Sequence, residues 1–83
     1  MRYFPEKIVY SDKFEDKTYY YRHTILSNEA YLKYKTKIKL LSENEWRALG
    51  VCMSKGWVHY AFHTPEPNIL LFRKEKLEIN ILY

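Results

Sequence analysis

Hydrophobic and polar residues alternate along two segments near the start of the chain. Residues 7–14 are rich in Ile, Val, Tyr and Phe, and the polar run 15–18 separates them from residues 19–26. β-branched and aromatic residues favour strands, and short polar runs between strands favour turns. The pattern therefore predicts two strands joined by a turn. Alternation divides the second strand into one face with Tyr20, Arg22, Thr24 and Leu26 and another with Tyr19, Tyr21, His23 and Ile25.

Two short helices are predicted in the middle of the chain. Ser27-Asn28 provides a cap for a helix from Glu29 to about Tyr34, and a basic connection of residues 35–39 follows. Ser42-Glu43-Asn44-Glu45 matches a capping box, in which a Ser at the N-cap precedes a Glu by three positions. This second helix runs to Leu49, and Gly50 is placed to end it in the left-handed region. Its buried stripe is predicted at Trp46 and Leu49.

The chain after a loop of residues 51–55 predicts two more strands with a stiff joint between them. Gly56 opens the third strand, and residues 68–74 form the fourth, whose apolar run 69–72 is typical of a strand near a sheet centre. Prolines fix φ and lack an N–H, so Pro65-Glu66-Pro67 is predicted to be a rigid hinge. This joint either closes as a hairpin or opens and passes the last strand to a second copy of the chain. Simple alternation places Tyr60 and Phe62 on one face of the third strand, and Trp57, His59, Ala61 and His63 on the other.

These elements predict one α+β domain over residues 1–83. It consists of a small four-stranded antiparallel sheet with two short helices between strands 2 and 3, and its last strand is a candidate for exchange between two chains. Residues 1–6 are expected to form a loose arm. Residues 75–83 form a C-terminal extension, and the alternating tail 77–83 fits either a fifth edge strand or an ordered extension.

Composition adds limits on compartment and partner class. The formal net charge is +4, which fits a partner that carries phosphate or carboxylate groups. A single cysteine, Cys52, excludes an internal disulfide and favours a reducing compartment. The sequence lacks a secretory signal pattern and any apolar run of 18 residues, so we expect a soluble, intracellular protein.

Two other functions were weighed on the residues alone. Cys52 with His59 or His63 suggests a thiol nucleophile, but no third orienting group accompanies them, so no enzyme is predicted. His23, His59 and His63 lack a compact ligand motif, so neither a metal nor a cofactor is predicted. Basic strands with tyrosines also fit a small domain that binds single-stranded nucleic acid, which remains the alternative function.

Several sequence blocks resemble one family. The blocks are Tyr10-Ser11-Asp12-Lys13-Phe14, Tyr21-Arg22-His23, Leu41-Ser42-Glu43-Asn44-Glu45-Trp46-Arg47, Gly56-Trp57-Val58-His59-Tyr60 and His63-Thr64-Pro65-Glu66-Pro67-Asn68, followed by Ile69-Leu70-Leu71-Phe72-Arg73. They resemble the cyclin-dependent kinase regulatory subunits, usually called CKS, over residues 9–74. The resemblance implies a non-catalytic adaptor in cell-cycle control, located in the cytoplasm and nucleus. Such an adaptor binds a cyclin-dependent kinase and docks substrates that carry phosphothreonine followed by proline.

The resemblance also implies a phosphate-binding site at Lys13, Arg22, Ser54, Trp57 and Lys74. The residues support part of it: with the first turn centred on 17–18, Lys13 lies across the hairpin from Arg22. Two opposed cations repel each other, and an anion between them would turn that repulsion into binding energy. Lys74 departs from the family, which usually has a second arginine there.

The resemblance places a kinase-binding surface beside the hinge, at Tyr60, Ala61, Phe62, His63 and Glu66. An aromatic residue and a histidine next to a rigid acidic turn suit an apolar anchor with a polar rim. Simple alternation conflicts with this set, because it divides the side chains between the two sheet faces. Asn68 replaces the histidine that often follows the hinge.

Overall fold

A computed structural model describes residues 4–76 of the chain. In chain order the elements are β1 (Val9–Tyr10), β2 (Phe14–Glu15), β3 (Tyr19–Ile25), α1 (Asn28–Tyr34), a 3₁₀ turn (Lys35–Lys37), α2 (Glu43–Ala48), β4 (Trp57–Phe62) and β5 (Ile69–Glu75). The predicted class, a small antiparallel sheet with short helices inserted between its strands, is confirmed. The alternating tail 77–83 lies outside the described residues.

The strand count differs from the prediction. The segment predicted as one first strand forms two short strands, β1 and β2, which both pair with β3. Val9 pairs with Ile25 whereas Phe14 pairs with Tyr21, so the register shifts by one residue between them. The Ser11 hydroxyl accepts the His23 backbone N–H at 2.8 Å, taking the place of a backbone carbonyl and ending β1. The sheet therefore has five strands rather than four.

β5 occupies the interior of the sheet, as its apolar run predicts. The main strand order is β1-β3-β5-β4, and β5 pairs antiparallel with β3 along its whole length and with β4 on its other side. Leu70 and Phe72 are almost completely buried, and they point toward the helices. We call this side the helix face and the opposite side the open face.

A β-bulge in β4 changes which residues share a face. His59 pairs with Phe72, and the next paired residue is Ala61, which lies opposite Leu71. Tyr60 is therefore the extra residue, and Tyr60 and Ala61 both lie on the open face. Phe62, opposite Leu70, turns to the helix face, where its ring lies 6.0 Å from that of His59. The alternation predicted for Ala61 and Phe62 is wrong because a bulge shifts the period by one residue.

The helices cover the helix face and start as the sequence predicts. The Ser27 hydroxyl caps α1 by accepting the Ala30 N–H, and a complete capping box at Ser42 starts α2. Gly50 follows α2 with φ of 103°, the left-handed conformation expected of it. None of the helices within residues 4–76 combines the length and apolar character that crossing a membrane requires.

The core lies between the helices and the helix face. Trp46 of α2 is fully buried, and its ring contacts that of Phe72 edge-on at a centroid distance of 5.4 Å. Leu49 packs against this core from the end of α2. At the start of the described residues Pro5 is buried, and the Phe4 ring lies 5.4 Å from that of Tyr31. The loose arm of residues 1–6 stays a prediction.

Candidate anion-binding site and docking face

The five residues predicted to bind phosphate gather at one end of the helix face. We call Lys13, Arg22, Ser54, Trp57 and Lys74 the cationic cluster. Strand register brings three of the elements together, because Lys74 of β5 pairs with Tyr20 of β3 on one side and Trp57 of β4 on the other. Arg22 is two positions along β3 from Tyr20 and so shares its face.

Arg22 is held against Trp57 with one donor unused. Its Cζ lies 5.7 Å from the centre of the Trp57 ring, within the range of a cation–π contact. Its Nε is buried and has no hydrogen-bond partner in the described structure. A buried donor without an acceptor costs free energy, and a charged one costs more. The Nε–H of Arg22 therefore has no hydrogen-bond acceptor within the described structure.

Lys74 is positioned by two close neighbours. Its Nζ donates to the Ser54 hydroxyl at 3.3 Å. Its side chain crosses Gly56 so closely that a Cβ there would lie 3.1 Å from Lys74 Cε, and Gly56 also adopts φ of 99°. The backbone conformation therefore favours glycine at 56, and any larger residue there would also have to displace the Lys74 side chain by a few tenths of an ångström.

Lys13 lies over the ring of Tyr20, a residue that the sequence analysis did not predict to be part of the site. Its Nζ lies 5.5 Å from the centre of the Tyr20 ring, and Lys76 Nζ lies 5.1 Å from the same ring. Lys76 also forms an ion pair with Glu15. Alternation along β3 already placed Tyr20 on the face of Arg22, but no pattern pointed to Lys76, which follows the last predicted strand.

The cationic cluster has an excess of positive charge. Within residues 4–76, Lys13, Arg22 and Lys74 have no carboxylate within ion-pair distance. Like charges on neighbouring strands destabilise a sheet, and an anion among them would relieve the repulsion. The indole N–H of Trp57 and the Ser54 hydroxyl are further donors of the type that phosphate oxygens accept.

Aromatic side chains and one arginine cover the open face. The Tyr21 and Tyr60 rings lie 5.9 Å apart, and Phe14 contacts both Tyr21 and His23. The Arg73 Cζ lies 4.3 Å from the Tyr19 ring and 5.0 Å from the Tyr60 ring. Arg73 therefore faces away from the cationic cluster and cannot replace the arginine that the family usually has at position 74.

The predicted kinase-binding residues meet at the hinge end of the open face, with one exception. His63 Nδ1 lies 3.9 Å from a Glu66 carboxylate oxygen, and the Glu66 N–H donates to the His63 carbonyl at 2.9 Å. Burial lowers the pKa of His23, and the neighbouring His63 lowers it further. Tyr60 and Ala61 belong to this face, whereas Phe62 lies on the helix face and is 44% exposed at the end of β4.

The residues of the competing hypotheses have other structural roles. Cys52 is exposed in the loop after α2, and its Sγ lies 3.6 Å from the Gly50 carbonyl oxygen. His59 is buried, and its Nδ1 accepts the Leu41 backbone N–H at 3.0 Å. Burial lowers the pKa of His59 to about 4, so it is a neutral part of the core at physiological pH. No group of three His, Cys, Asp or Glu side chains suited to a metal ion occurs within residues 4–76.

Comparison with known proteins identifies similar chains. Residues 8–76 match the family model described as cyclin-dependent kinase regulatory subunit. The chain is 56% identical over 68 residues to cyclin-dependent kinases regulatory subunit 2 of Arabidopsis thaliana, covering 82% of this chain and 81% of that protein. It is 56% identical over 70 residues to a probable cyclin-dependent kinases regulatory subunit of Physarum polycephalum (84% and 82%). It is 49% identical over 71 residues to the cyclin-dependent kinases regulatory subunit of Drosophila melanogaster (86% and 95%).

Proposed function

Because the chain belongs to the family of cyclin-dependent kinase regulatory subunits, we propose that it is a non-catalytic adaptor with two binding surfaces. The open face beside the hinge binds a cyclin-dependent kinase. The cationic cluster docks proteins that are already phosphorylated at threonine-proline sites. Because one small domain binds both the kinase and a phosphorylated substrate, the substrate stays next to the kinase. This promotes phosphorylation at further sites during the cell cycle.

The convergence of Lys13, Arg22 and Lys74, none of which has a carboxylate partner within residues 4–76, is the observation that carries the proposal for phosphate. A guanidinium offers a planar fork that matches two phosphate oxygens, and its Nε is one tine of that fork. A phosphomonoester carries a charge of about −1.5 to −2 near neutral pH, enough to offset much of the charge of Lys13, Arg22 and Lys74. An ordinary carboxylate carries one charge and fewer acceptor positions, so the cluster favours phosphate.

The residue types on the open face support kinase binding. Tyr60 and Arg73 form a stacked, semi-rigid surface, and enrichment in Tyr and Arg is typical of the residues that contribute most to protein interfaces. The turn formed by His63 and Glu66 adds a polar rim beside that surface. The cationic cluster lies on the opposite face, so the kinase and a phosphorylated substrate are able to bind together.

A pair of arginine variants on opposite faces tests whether the cationic cluster holds the phosphate. Arg22→Ala should weaken binding of a phosphothreonine-proline peptide at least about 100-fold, since it removes two charge-assisted hydrogen bonds worth roughly 1.5–3 kcal/mol each. Capture of a cyclin-dependent kinase on the immobilised variant should be unchanged. Fluorescence anisotropy with the phosphorylated and unphosphorylated peptides gives the first quantity, and immunoblotting of captured kinase gives the second.

Arg73→Ala is the matched control, because it removes the same side chain from the open face. It should leave the affinity for the phosphopeptide within about twofold of wild type. Wild-type affinity for the phosphopeptide in the Arg22→Ala variant would refute the phosphate site. Equal loss in both variants would show that the effect follows net charge and not the cationic cluster.

A further inference from the structure

The face that carries the cationic cluster continues further along β3 and β5. Tyr20 and Arg22 lie two positions apart on β3, and Tyr20 pairs with Lys74 of β5. Lys76 comes directly after β5, and its N–H donates to the Thr18 carbonyl at 2.9 Å, so the pairing of the two segments extends to it. Alternation therefore places Tyr20 and Lys76 on the face of Arg22 and Lys74.

Two lysine side chains share one aromatic ring at this place. Lys13 Nζ and Lys76 Nζ lie 5.5 Å and 5.1 Å from the centre of the Tyr20 ring, within the range of cation–π contacts. Tyr20 is half-buried and packs against the core, which fixes the position of its ring. We call Lys13, Tyr20 and Lys76 the outer subsite. Of these three, Lys13 alone belongs to the cationic cluster, so the outer subsite adds one further cation beside it.

A carboxylate of the chain itself already lies at the outer subsite. Glu15 pairs with Tyr20 across β2 and β3, and its carboxylate forms an ion pair with the Lys76 ammonium. The Lys76 side chain is 17% exposed, whereas that of Glu15 is 59% exposed. The cation is therefore held among its neighbours, and the anion reaches it from the solvent side. An ion pair with so exposed a member contributes little to stability, so a stronger anion is able to replace Glu15.

The spacing between the cationic cluster and the outer subsite matches that of an extended peptide. Same-face residues two positions apart in a strand are separated by about 6.5–7 Å, and Lys74 and Lys76 have this relation. The side chains of an extended peptide repeat with the same spacing. A substrate whose phosphothreonine occupies the cationic cluster therefore presents to the outer subsite a side chain two residues away.

We propose that the outer subsite binds a second phosphate of the substrate, on a residue two positions from the phosphothreonine, and that Glu15 excludes weaker anions. The inference rests on the proposed function and deepens it, since it names doubly phosphorylated segments as the preferred substrates. A substrate carboxylate would only replace the Glu15 carboxylate at Lys76, one charge for one. A phosphate carries a charge of about −1.5 to −2 and three acceptor oxygens, so it displaces Glu15 with a net gain in affinity.

The test compares labelled peptides that contain one phosphothreonine-proline pair and differ at a single position. Serine, glutamate or phosphoserine stands two positions before the phosphothreonine in one series and two positions after it in another. Fluorescence anisotropy with the full chain gives each affinity. In one of the two series, phosphoserine should bind at least about fivefold tighter than serine, because its hydrogen bonds to lysine are charge-assisted. Glutamate should gain less than about twofold, because it only takes the place of Glu15.

Lysine variants locate the second phosphate. Lys76→Gln should reduce the advantage of phosphoserine over serine to less than about twofold, since the added cation of the outer subsite is lost. Lys33→Gln removes the same charge from an exposed lysine on α1 and should preserve the advantage. The ratio of the two affinities is compared, because it cancels any change in the cationic cluster itself. Capture of a cyclin-dependent kinase reports that each variant is folded.

Glutamate variants test the exclusion of weaker anions. Glu15→Gln leaves Lys76 without its ion-pair partner in β2, so glutamate in the peptide should now bind at least about threefold tighter than serine. Glu29→Gln is the matched control, because Glu29 is an exposed carboxylate on α1, and it should leave the preference for glutamate as weak as in wild type.

The outcomes separate the outer subsite from the phosphate site. A chain that binds the serine peptide but gains nothing from phosphoserine in either series keeps the phosphate site and has no outer subsite. A chain that binds none of the peptides lacks the proposed function as well. Equal loss of the advantage in Lys76→Gln and Lys33→Gln would indicate attraction by net charge alone. Equal gains from glutamate and phosphoserine in wild type would contradict the role of Glu15.

Discussion

At the scale of single residues, Lys74 is a lysine where the family resemblance predicts an arginine in the cationic cluster. A lysine is a point charge on a flexible stem, whereas an arginine presents a planar fork to phosphate oxygens. Lys74 Nζ donates one hydrogen bond to the Ser54 hydroxyl, and the aliphatic part of its side chain lies against Gly56. We infer that the site makes one bidentate contact with its anion, through Arg22. A site with arginine at both positions would make two such contacts.

Lys74→Arg should therefore tighten binding of the phosphothreonine-proline peptide. One added charge-assisted hydrogen bond, less the cost of ordering a longer side chain, corresponds to about a threefold to tenfold lower dissociation constant. Isothermal titration calorimetry measures it directly. Lys55→Arg is the control, because Lys55 lines a surface depression with Gly56 and Lys74 but is not a member of the cationic cluster, and it should leave the dissociation constant unchanged. Weaker binding by Lys74→Arg would mean that the chain beside Gly56 leaves too little space for a guanidinium group.

His59 shows how one buried residue links pH to stability. Its Nδ1 accepts the Leu41 N–H, its ring packs against Phe72, and burial lowers its pKa from 6.5 to about 4. Between these values the unfolded chain binds a proton that the folded chain does not, so acid favours unfolding. The stabilisation is fully present above pH 6.5 and is lost as the pH falls toward 4. The shift corresponds to at most about 3 kcal/mol.

His59→Asn should flatten this dependence. An asparagine oxygen can accept the Leu41 N–H where His59 Nδ1 does, but it does not titrate, so the free energy of unfolding should fall less between pH 6.5 and pH 5. The loss of the ring will lower stability at every pH, and the slope against pH is therefore the quantity to compare. Urea unfolding at several pH values gives it. His23→Asn is the control. Burial also lowers the pKa of His23, but this side chain is half-exposed, so its replacement should change the slope against pH less than His59→Asn does. Equal slopes in wild type and His59→Asn would contradict the assignment.

At the scale of elements, local signals were predictable from sequence and pairing irregularities were not. The Ser42 capping box and the left-handed Gly50 depend on residues within one turn of chain, so the pattern alone located them. The bulge at Tyr60 depends on how β4 pairs with β5, and the break at Ser11 depends on a hydroxyl that reaches β3. Neither leaves a signal in the period of hydrophobic residues. The five members of the cationic cluster were predicted from family resemblance. A family motif already reflects which distant segments pair in the fold, and a hydrophobic pattern does not.

The bulge gives a test of the open face. It moves Ala61 beside Tyr60, so Ala61→Glu should place a carboxylate within the proposed kinase-binding surface and reduce kinase capture at least about tenfold, since burying an unpaired charge is costly. Leu32→Glu on α1, 48% exposed, is the matched control and should capture the kinase normally. Quantitative immunoblotting of captured kinase is the measurement. Phosphopeptide affinity reports that both variants are folded. Undiminished capture by Ala61→Glu would place the kinase elsewhere.

At the scale of the whole molecule, the interior position of β5 makes strand exchange a large rearrangement with little change in contacts. β5 pairs with both β3 and β4, and its connection to β4 closes through turns at His63 and Glu66. If Pro65-Glu66-Pro67 opened, β5 of one chain would lie between β3 and β4 of another and make the same pairs. Lys74 would then complete the cationic cluster of the second chain. The turn that forms the kinase-binding rim would be lost.

We therefore expect an exchanged dimer to keep phosphopeptide binding and to lose kinase binding, because the cationic cluster is rebuilt from two chains while the hinge turn is extended. Refolding at high protein concentration followed by size-exclusion chromatography would separate the two forms, and each is then assayed for both ligands. A dimer that captures the kinase as well as the monomer does would contradict the expected loss of the turn.

A mixed dimer distinguishes strand exchange from simple association. Chains carrying Arg22→Ala and chains carrying Lys74→Ala each bind phosphopeptide poorly alone. In an exchanged mixed dimer, the body with native Arg22 receives β5 with native Lys74, so one of its two sites is fully restored. Co-refolding the two variants at high concentration should therefore recover phosphopeptide binding in the dimer fraction only. A dimer without recovery would be an association of closed chains, since side-by-side packing leaves each defect in its own domain.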